Sequence, residues 1–180
     1  HLHQIDLMLP YYLKNLEIEA YAAKQITDKE IEKYYDEEIV GDIKVSHILI
    51  TPAVTDSMTD EEKKTAETEA QNKINSIINE LNSTKAKDIE TKFAELVKTY
   101  SEDETTKETG GSLGYINKDT LSDDYAELVT EAYKLKDGKY TTKVVTTQLG
   151  YHVVLRHDTK EKAKLKDVKE DIIDKLSQEY

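Results

Sequence analysis

Apolar positions repeat at helical spacing over most of this chain and close up into strand-like runs only between residues 43 and 157. From residue 11 to 39, Leu13, Leu16, Ala20 and Ala23 follow a helical period, and Pro10 suits a first helical position. Thr27-Asp28-Lys29-Glu30 is a capping box that opens a second helix, with Ile31, Tyr34 and Tyr35 on its apolar side. After a linker at Val40-Gly41-Asp42, residues 43–51 predict a strand. A second capping box, Thr59-Asp60-Glu61-Glu62, heads a long helix with Ala66, Ala70, Ile74, Ile77, Ile78 and Leu81 inward. Residues 87–100 predict the next helix, and the stretch 101–109, which has no hydrophobe, predicts a loop. Gly110 and Gly111 lead into a short strand, Leu113 to Ile116. Ser122 can cap a helix over 123–135. Two β-rich runs, 140–147 and 151–157, predict a hairpin about Gln148-Leu149-Gly150. A final helix carries Leu165, Val168, Ile172 and Leu176 as a stripe.

The order is therefore helices, then β-αα-β-α-ββ, then a helix. This predicts an α+β fold with an antiparallel sheet and covering helices. Three segments follow: a helical segment 1–41, a compact α+β domain 42–158, and a C-terminal helix 159–180 packing with the first segment.

Composition narrows what such a fold does. The formal charge of -12 disfavours nucleic acid, because phosphate binding needs clustered cations. Arg156 is the only arginine. Zero cysteines exclude disulfides and thiolate metal sites. They fit an extracellular protein of an organism that avoids disulfides, and a cytosolic enzyme equally well. No apolar run approaches the roughly 20 residues of a membrane span. The chain begins without methionine or a signal-peptide pattern, as a mature piece or fragment would. His1 and His3 form a His-x-His pair at the terminus, where no metal site is expected.

Two histidines about a hundred residues apart each sit inside an apolar strand run: Val45-Ser46-His47-Ile48-Leu49-Ile50 and Leu149-Gly150-Tyr151-His152-Val153-Val154-Leu155. Between them come Tyr100-Ser101-Glu102-Asp103, Gly110-Gly111-Ser112-Leu113-Gly114 and Ala132…Leu135…Gly138. Taken together and in order, these pieces of residues 43–157 resemble the parvulin family of peptidyl-prolyl isomerases, whose fold is FKBP-like. The segment Thr27 to Glu37 looks like the one that precedes parvulin domains in secreted foldases. The whole is similar to the PrsA-type foldase lipoproteins of Gram-positive bacteria.

The resemblance implies a peptidyl-prolyl cis–trans isomerase acting on unfolded or partly folded secreted chains, without cofactor or metal. It implies the outer face of the cell membrane as location, through an anchor outside this fragment. By similarity, Leu113, Leu121 and Tyr125 seat the proline ring. His47 and His152, with Thr147 beside them, form the polar centre, and Asp103 matches the acidic or thiol position that faces the substrate carbonyl. Each residue also has a plainer reading. The apolar trio and the histidines fit an ordinary core, and Asp103 fits a loop cap. Ser112 stands where aspartate is common, Tyr125 where phenylalanine is usual, and Glu104 competes with Asp103 for the acidic role. The loop 52–60 has no Lys or Arg, so phosphorylated substrates are not expected. The alternative function is a catalytically silent domain in a chaperone or holdase. The helix stripes at 11–39 and 163–176 also allow a homodimer.

Overall fold

The computed structural model describes residues 2–179, with side chains from residue 8 onward. The side chains of the His1–His3 pair lie outside the described residues. In chain order the elements are α1 (Leu2–Gln25), α2 (Asp28–Glu38), β1 (Ile43–Ile50), α3 (Asp60–Asn82), α4 (Ile89–Tyr100), β2 (Ser112–Ile116), α5 (Ala126–Lys134), β3 (Val145–Thr147), β4 (Gly150–Thr159) and α6 (Leu165–Ser177). They form two compact units: α1, α2 and α6 in one, residues 42–160 in the other.

In the helical unit the first capping box closes as its sequence requires. Thr27 Oγ accepts from the Glu30 amide at 3.2 Å, and the Glu30 carboxylate accepts from the Thr27 amide at 2.7 Å. The segment leading into α6 is tied to α2. Tyr35 donates its hydroxyl to the Ala163 carbonyl at 2.7 Å, and the Lys162 ammonium lies 4.0 Å from the centre of the Tyr35 ring. Ala22, Ile31 and Ile172 are buried.

One expectation fails in α1. Pro10 lies inside the helix rather than at its start. Its fixed φ is compatible with α-helix, although an interior proline forgoes one backbone hydrogen bond and crowds the carbonyl four residues back. Leu13 and Leu16, on the predicted stripe, are 51% and 43% exposed, beside exposed Tyr11, Tyr12, Ile18 and Tyr21.

In the second unit the sheet order is β2-β1-β4-β3, every pair antiparallel, so β1 and β4 are central. The two faces of the central strands have different partners. Ile48, Ile50, Val153 and Leu155 pack against Ile74, Ile77, Leu81, Phe93 and Val97 of α3 and α4. Ile43, Val45 and Val154 pack with Leu128, Val129 and Ala132 of α5, and with Leu113, Leu121 and Tyr125 at the margin. His47 and His152 share the parity of this second face, because side chains alternate along a strand.

The predicted hairpin turns at Gln148-Leu149, but its first arm is short. Only Val145–Thr147 is a regular strand. Upstream, the Thr141 hydroxyl accepts the Val154 amide at 3.0 Å, a position that a ladder carbonyl would otherwise fill. Ser122 does not cap α5 with its side chain. A single 3-10 turn, Asp123–Tyr125, opens the helix instead, and the Tyr125 amide is taken by the Ser122 carbonyl at 3.0 Å. Arg156 is buried, its guanidinium bonded to the Tyr133 and Leu135 carbonyls at the end of α5 and to Asp137 at 3.2 Å. That placement suits a cation at a helix C-terminus.

Candidate functional site

His47 on β1 lies opposite Val154, and His152 on β4 lies opposite Leu49. The two histidines are therefore diagonal neighbours on one face, close enough for long side chains to meet. Their rings stack at 5.2 Å between centroids, and Nδ1 faces Nδ1 at 2.9 Å. His47 Nε2 is 2.7 Å from Asp103 Oδ2, and His152 Nε2 is 2.6 Å from Thr147 Oγ. Both histidines are fully buried.

Asp103 decides the direction of every bond in this chain. Burial pushes its carboxyl up, but hydrogen bonds from Thr105, Thr106 and His47, with the His47 charge, outweigh it and bring the pKa to about 2. An ionised carboxylate only accepts, so His47 carries its proton on Nε2. Burial lowers the His47 pKa, against the hydrogen bond and charge of Asp103. The ring is therefore neutral at pH 7, and its Nδ1 must accept. The proton between the rings then belongs to His152 Nδ1, which leaves His152 Nε2 to accept from the Thr147 hydroxyl. Thr147 Oγ in turn accepts the Leu149 amide at 3.2 Å. Burial and repulsion from His47 push His152 down to about 3, against the attraction of Asp103. The result is a dry, neutral relay of hydrogen bonds ending on one anion.

Asp103 is held by a loop that looked featureless in the sequence. The Thr105 hydroxyl donates to Oδ1 at 2.6 Å, its amide to the same oxygen at 3.1 Å, and the Thr106 hydroxyl to Oδ2 at 2.7 Å. The same loop covers the part of β1 that β2 does not reach. The His47 amide donates to the Gly111 carbonyl at 2.9 Å, and the Leu49 amide to Ser101 Oγ at 3.2 Å. The Glu102 amide donates to the Leu49 carbonyl at 2.8 Å, and the Thr51 amide to the Glu102 carboxylate at 2.7 Å. Residues 101–111 thus act as a polar stand-in for a strand.

Thr105 and Thr106 were not singled out in the sequence, and Ser101 and Glu102 only as part of Tyr100-Ser101-Glu102-Asp103, without a role. The available signal was Asp103-Glu104-Thr105-Thr106, an Asx-turn pattern in which a short carboxylate takes the amide two residues on. Glu104 is exposed, and among the described residues the histidine relay ends on Asp103 alone. Ser112, where aspartate was noted as common, accepts the Gly114 amide at 3.2 Å.

The apolar trio borders the relay. Leu113, Leu121 and Tyr125 are each half-buried and pack against the α5-side core. The Tyr125 ring lies 6.1 Å from His47 and 6.4 Å from His152, tilted to both. His157 is half-buried: Nε2 is 2.7 Å from Ser46 Oγ and Nδ1 3.0 Å from Glu90. It sits on the α4 face of the sheet because its parity is that of Val153 and Leu155. No group of three or more His, Asp or Glu poised for a metal occurs among the described residues.

The histidine pair and the apolar ledge thus lie side by side on a β-αα-β-α-ββ frame. The chain belongs to the PPIC-type PPIase domain family, whose profile matches residues 29–160. It is 35% identical over 149 residues to foldase protein PrsA 1 of Bacillus cereus, covering 83% of this chain and 41% of that protein. Among solved structures it resembles the peptidylprolyl isomerase PrsA from Bacillus anthracis, with TM-score 0.53 and 25% identity, over 98% of this chain and 74% of that one. It also resembles a Campylobacter jejuni structure from work describing PEB4 and Cj1289 as SurA-like chaperones, with TM-score 0.54 and 27% identity, over 98% of this chain and 65% of that one. The chain spans about half the length of the curated relatives it matches.

Proposed function

We propose that residues 42–160 catalyse cis–trans isomerisation of X-Pro peptide bonds. The observation that carries this is the half-buried ledge of Leu113, Leu121 and Tyr125 set against a polar relay that is satisfied within itself. The barrier, ~18–20 kcal/mol, is loss of amide resonance in the twisted state. Lowering it needs no nucleophile and no net proton transfer, only groups that favour the twisted amide over the planar forms. An apolar ledge desolvates the proline ring and the amide. The Asp103 anion disfavours the partly negative oxygen of the planar amide, and twisting relieves that repulsion. His47, His152 and Thr147 act as positioning residues: they hold the sheet and fix Asp103 as the acceptor.

A protease-coupled or NMR exchange assay on proline tetrapeptides tests the reading. A rate at background for the native chain would sink it. Asp103→Asn keeps an oxygen to accept from His47 but removes the charge. Its kcat/KM should fall by roughly one to two orders of magnitude, as expected for a lost electrostatic contact in a dry site. Unchanged efficiency would remove Asp103 from the mechanism.

The proposal extends to a foldase that assists secreted chains outside the cell, held at the membrane by a segment beyond this chain. The PrsA relatives support it. A second reading, a holdase whose isomerase domain is silent, is favoured by the exposed apolar residues of α1, among them Tyr11, Tyr12, Ile18 and Tyr21. Suppression of aggregation of an unfolded client by an Asp103→Asn chain, undiminished from the native level, would support it. Sedimentation as a monomer would exclude pairing of two copies through that face.

A further inference from the structure

We propose that the Tyr125 hydroxyl is a catalytic hydrogen-bond donor to the prolyl nitrogen as the X-Pro amide twists. The inference rests on the isomerase reading above and assigns it a group that touches the reacting atoms.

The relay leaves little else to do this. His47 spends both ring nitrogens on His152 and Asp103, and His152 spends both on His47 and Thr147. Both Asp103 oxygens are occupied, by His47 and Thr106 on one side and Thr105 on the other. Thr147 donates to His152 and accepts from Leu149. Tyr125 differs. Among the described residues its hydroxyl has no hydrogen-bond partner, while no buried polar side-chain atom is left unsatisfied, so this oxygen is open to solvent. Its ring stands beside both imidazoles, 6.1 and 6.4 Å away.

The chemistry suits a neutral donor. In the planar amide the nitrogen lone pair is delocalised and is no acceptor. As the bond rotates, resonance is lost, the nitrogen becomes pyramidal and its lone pair localises. A donor aimed at that nitrogen gains nothing from either planar isomer and gains a hydrogen bond only in between, which is what lowers a barrier. The donor must stay protonated. Burial raises the Tyr125 pKa, and the nearby Asp103 and Asp124 carboxylates raise it further. No bond is made or broken and no proton leaves the phenol. A phenylalanine would seat the ring as well but would offer no donor.

Tyr125→Phe tests the idea, with kcat measured by NMR exchange on a proline tetrapeptide and affinity by titration. The expected result is a fall in kcat of roughly three- to tenfold, the worth of one neutral hydrogen bond, with KM and peptide affinity retained. The native chain should also lose kcat at alkaline pH as the phenol ionises, and Tyr125→Phe should not. Asp124→Asn keeps the hydroxyl but removes one carboxylate, so it should move that alkaline limb to lower pH. Equal kcat in Tyr125→Phe, or a change confined to KM, overturns the role of the hydroxyl while leaving the isomerase reading standing. No rate in the native chain removes both.

Discussion

Acidification from pH 7 to 5.5 is expected to destabilise residues 42–160 steeply, well before most carboxylates begin to titrate. His152 is held down to about 3 from its ordinary 6.5, and His47 is lowered as well. The unfolded chain therefore takes up protons below pH 6.5 that the folded chain refuses. Stability is complete above that pH and is lost as pH falls toward 3. Each pKa unit is worth about 1.4 kcal/mol, so His152 alone accounts for roughly 1–1.5 kcal/mol of the loss by pH 5.5 and roughly 4–5 kcal/mol by pH 3, against about 5–15 kcal/mol of total stability for a typical domain. Asp103 adds to the loss later, between its ordinary 3.8 and about 2, with the same sign. The chain's excess of carboxylates pulls the other way, since protonation relieves self-repulsion. Exposed carboxylates titrate mostly below pH 5, so the histidines win above that. Urea midpoints at pH 7.5, 6.5 and 5.5 provide the measurement, with His152→Gln as comparison. A native slope as flat as that of the variant would mean that the imidazoles are not dry.

Gly111→Ala is expected to cost at least about 3 kcal/mol, among the larger effects a single methyl group produces. Gly111 has φ +78°, and a Cβ there would overlap the His47 carbonyl oxygen and lie 3.0 Å from Val97 Cγ2. Gly114 provides the control. Its φ is +72° with nothing within 4 Å of a Cβ, so Gly114→Ala pays only the left-handed backbone penalty, about 1–2 kcal/mol. The difference between the two urea midpoints isolates the close approach of the loop to β1. Because the same approach positions His47, the Gly111 variant should lose isomerase rate beyond its loss of stability. Equal midpoints would show that the loop yields to the methyl group.

The elements that hold the site were legible because they obey local rules. His47 and His152 fall in strands of nearly continuous apolar character, and both capping boxes name the helix starts that form. Strand alternation then dictates that the histidines share a face once β1 and β4 pair. What was not legible depends on partners distant in sequence. Ser101, Glu102, Thr105 and Thr106 look like loop filler until they are set against the unpaired side of β1 and the Asp103 carboxylate. Thr141 interrupts a strand by using its side chain on Val154, which no propensity foretells. For the Leu13 and Leu16 stripe, periodicity reports amphipathic character without saying what covers it.

The polar loop at 101–111 has one more consequence. A central strand that outruns its neighbour exposes a row of amides and carbonyls, on which any extended chain can add itself as a further strand. Here Ser101, Glu102 and Gly111 occupy those groups from His47 to Thr51. An extended polypeptide reaching this stretch of β1 meets Ser101, Glu102 and Gly111 instead of an open backbone rail. The loop that anchors the aspartate thus also closes this stretch of β1 to strand addition.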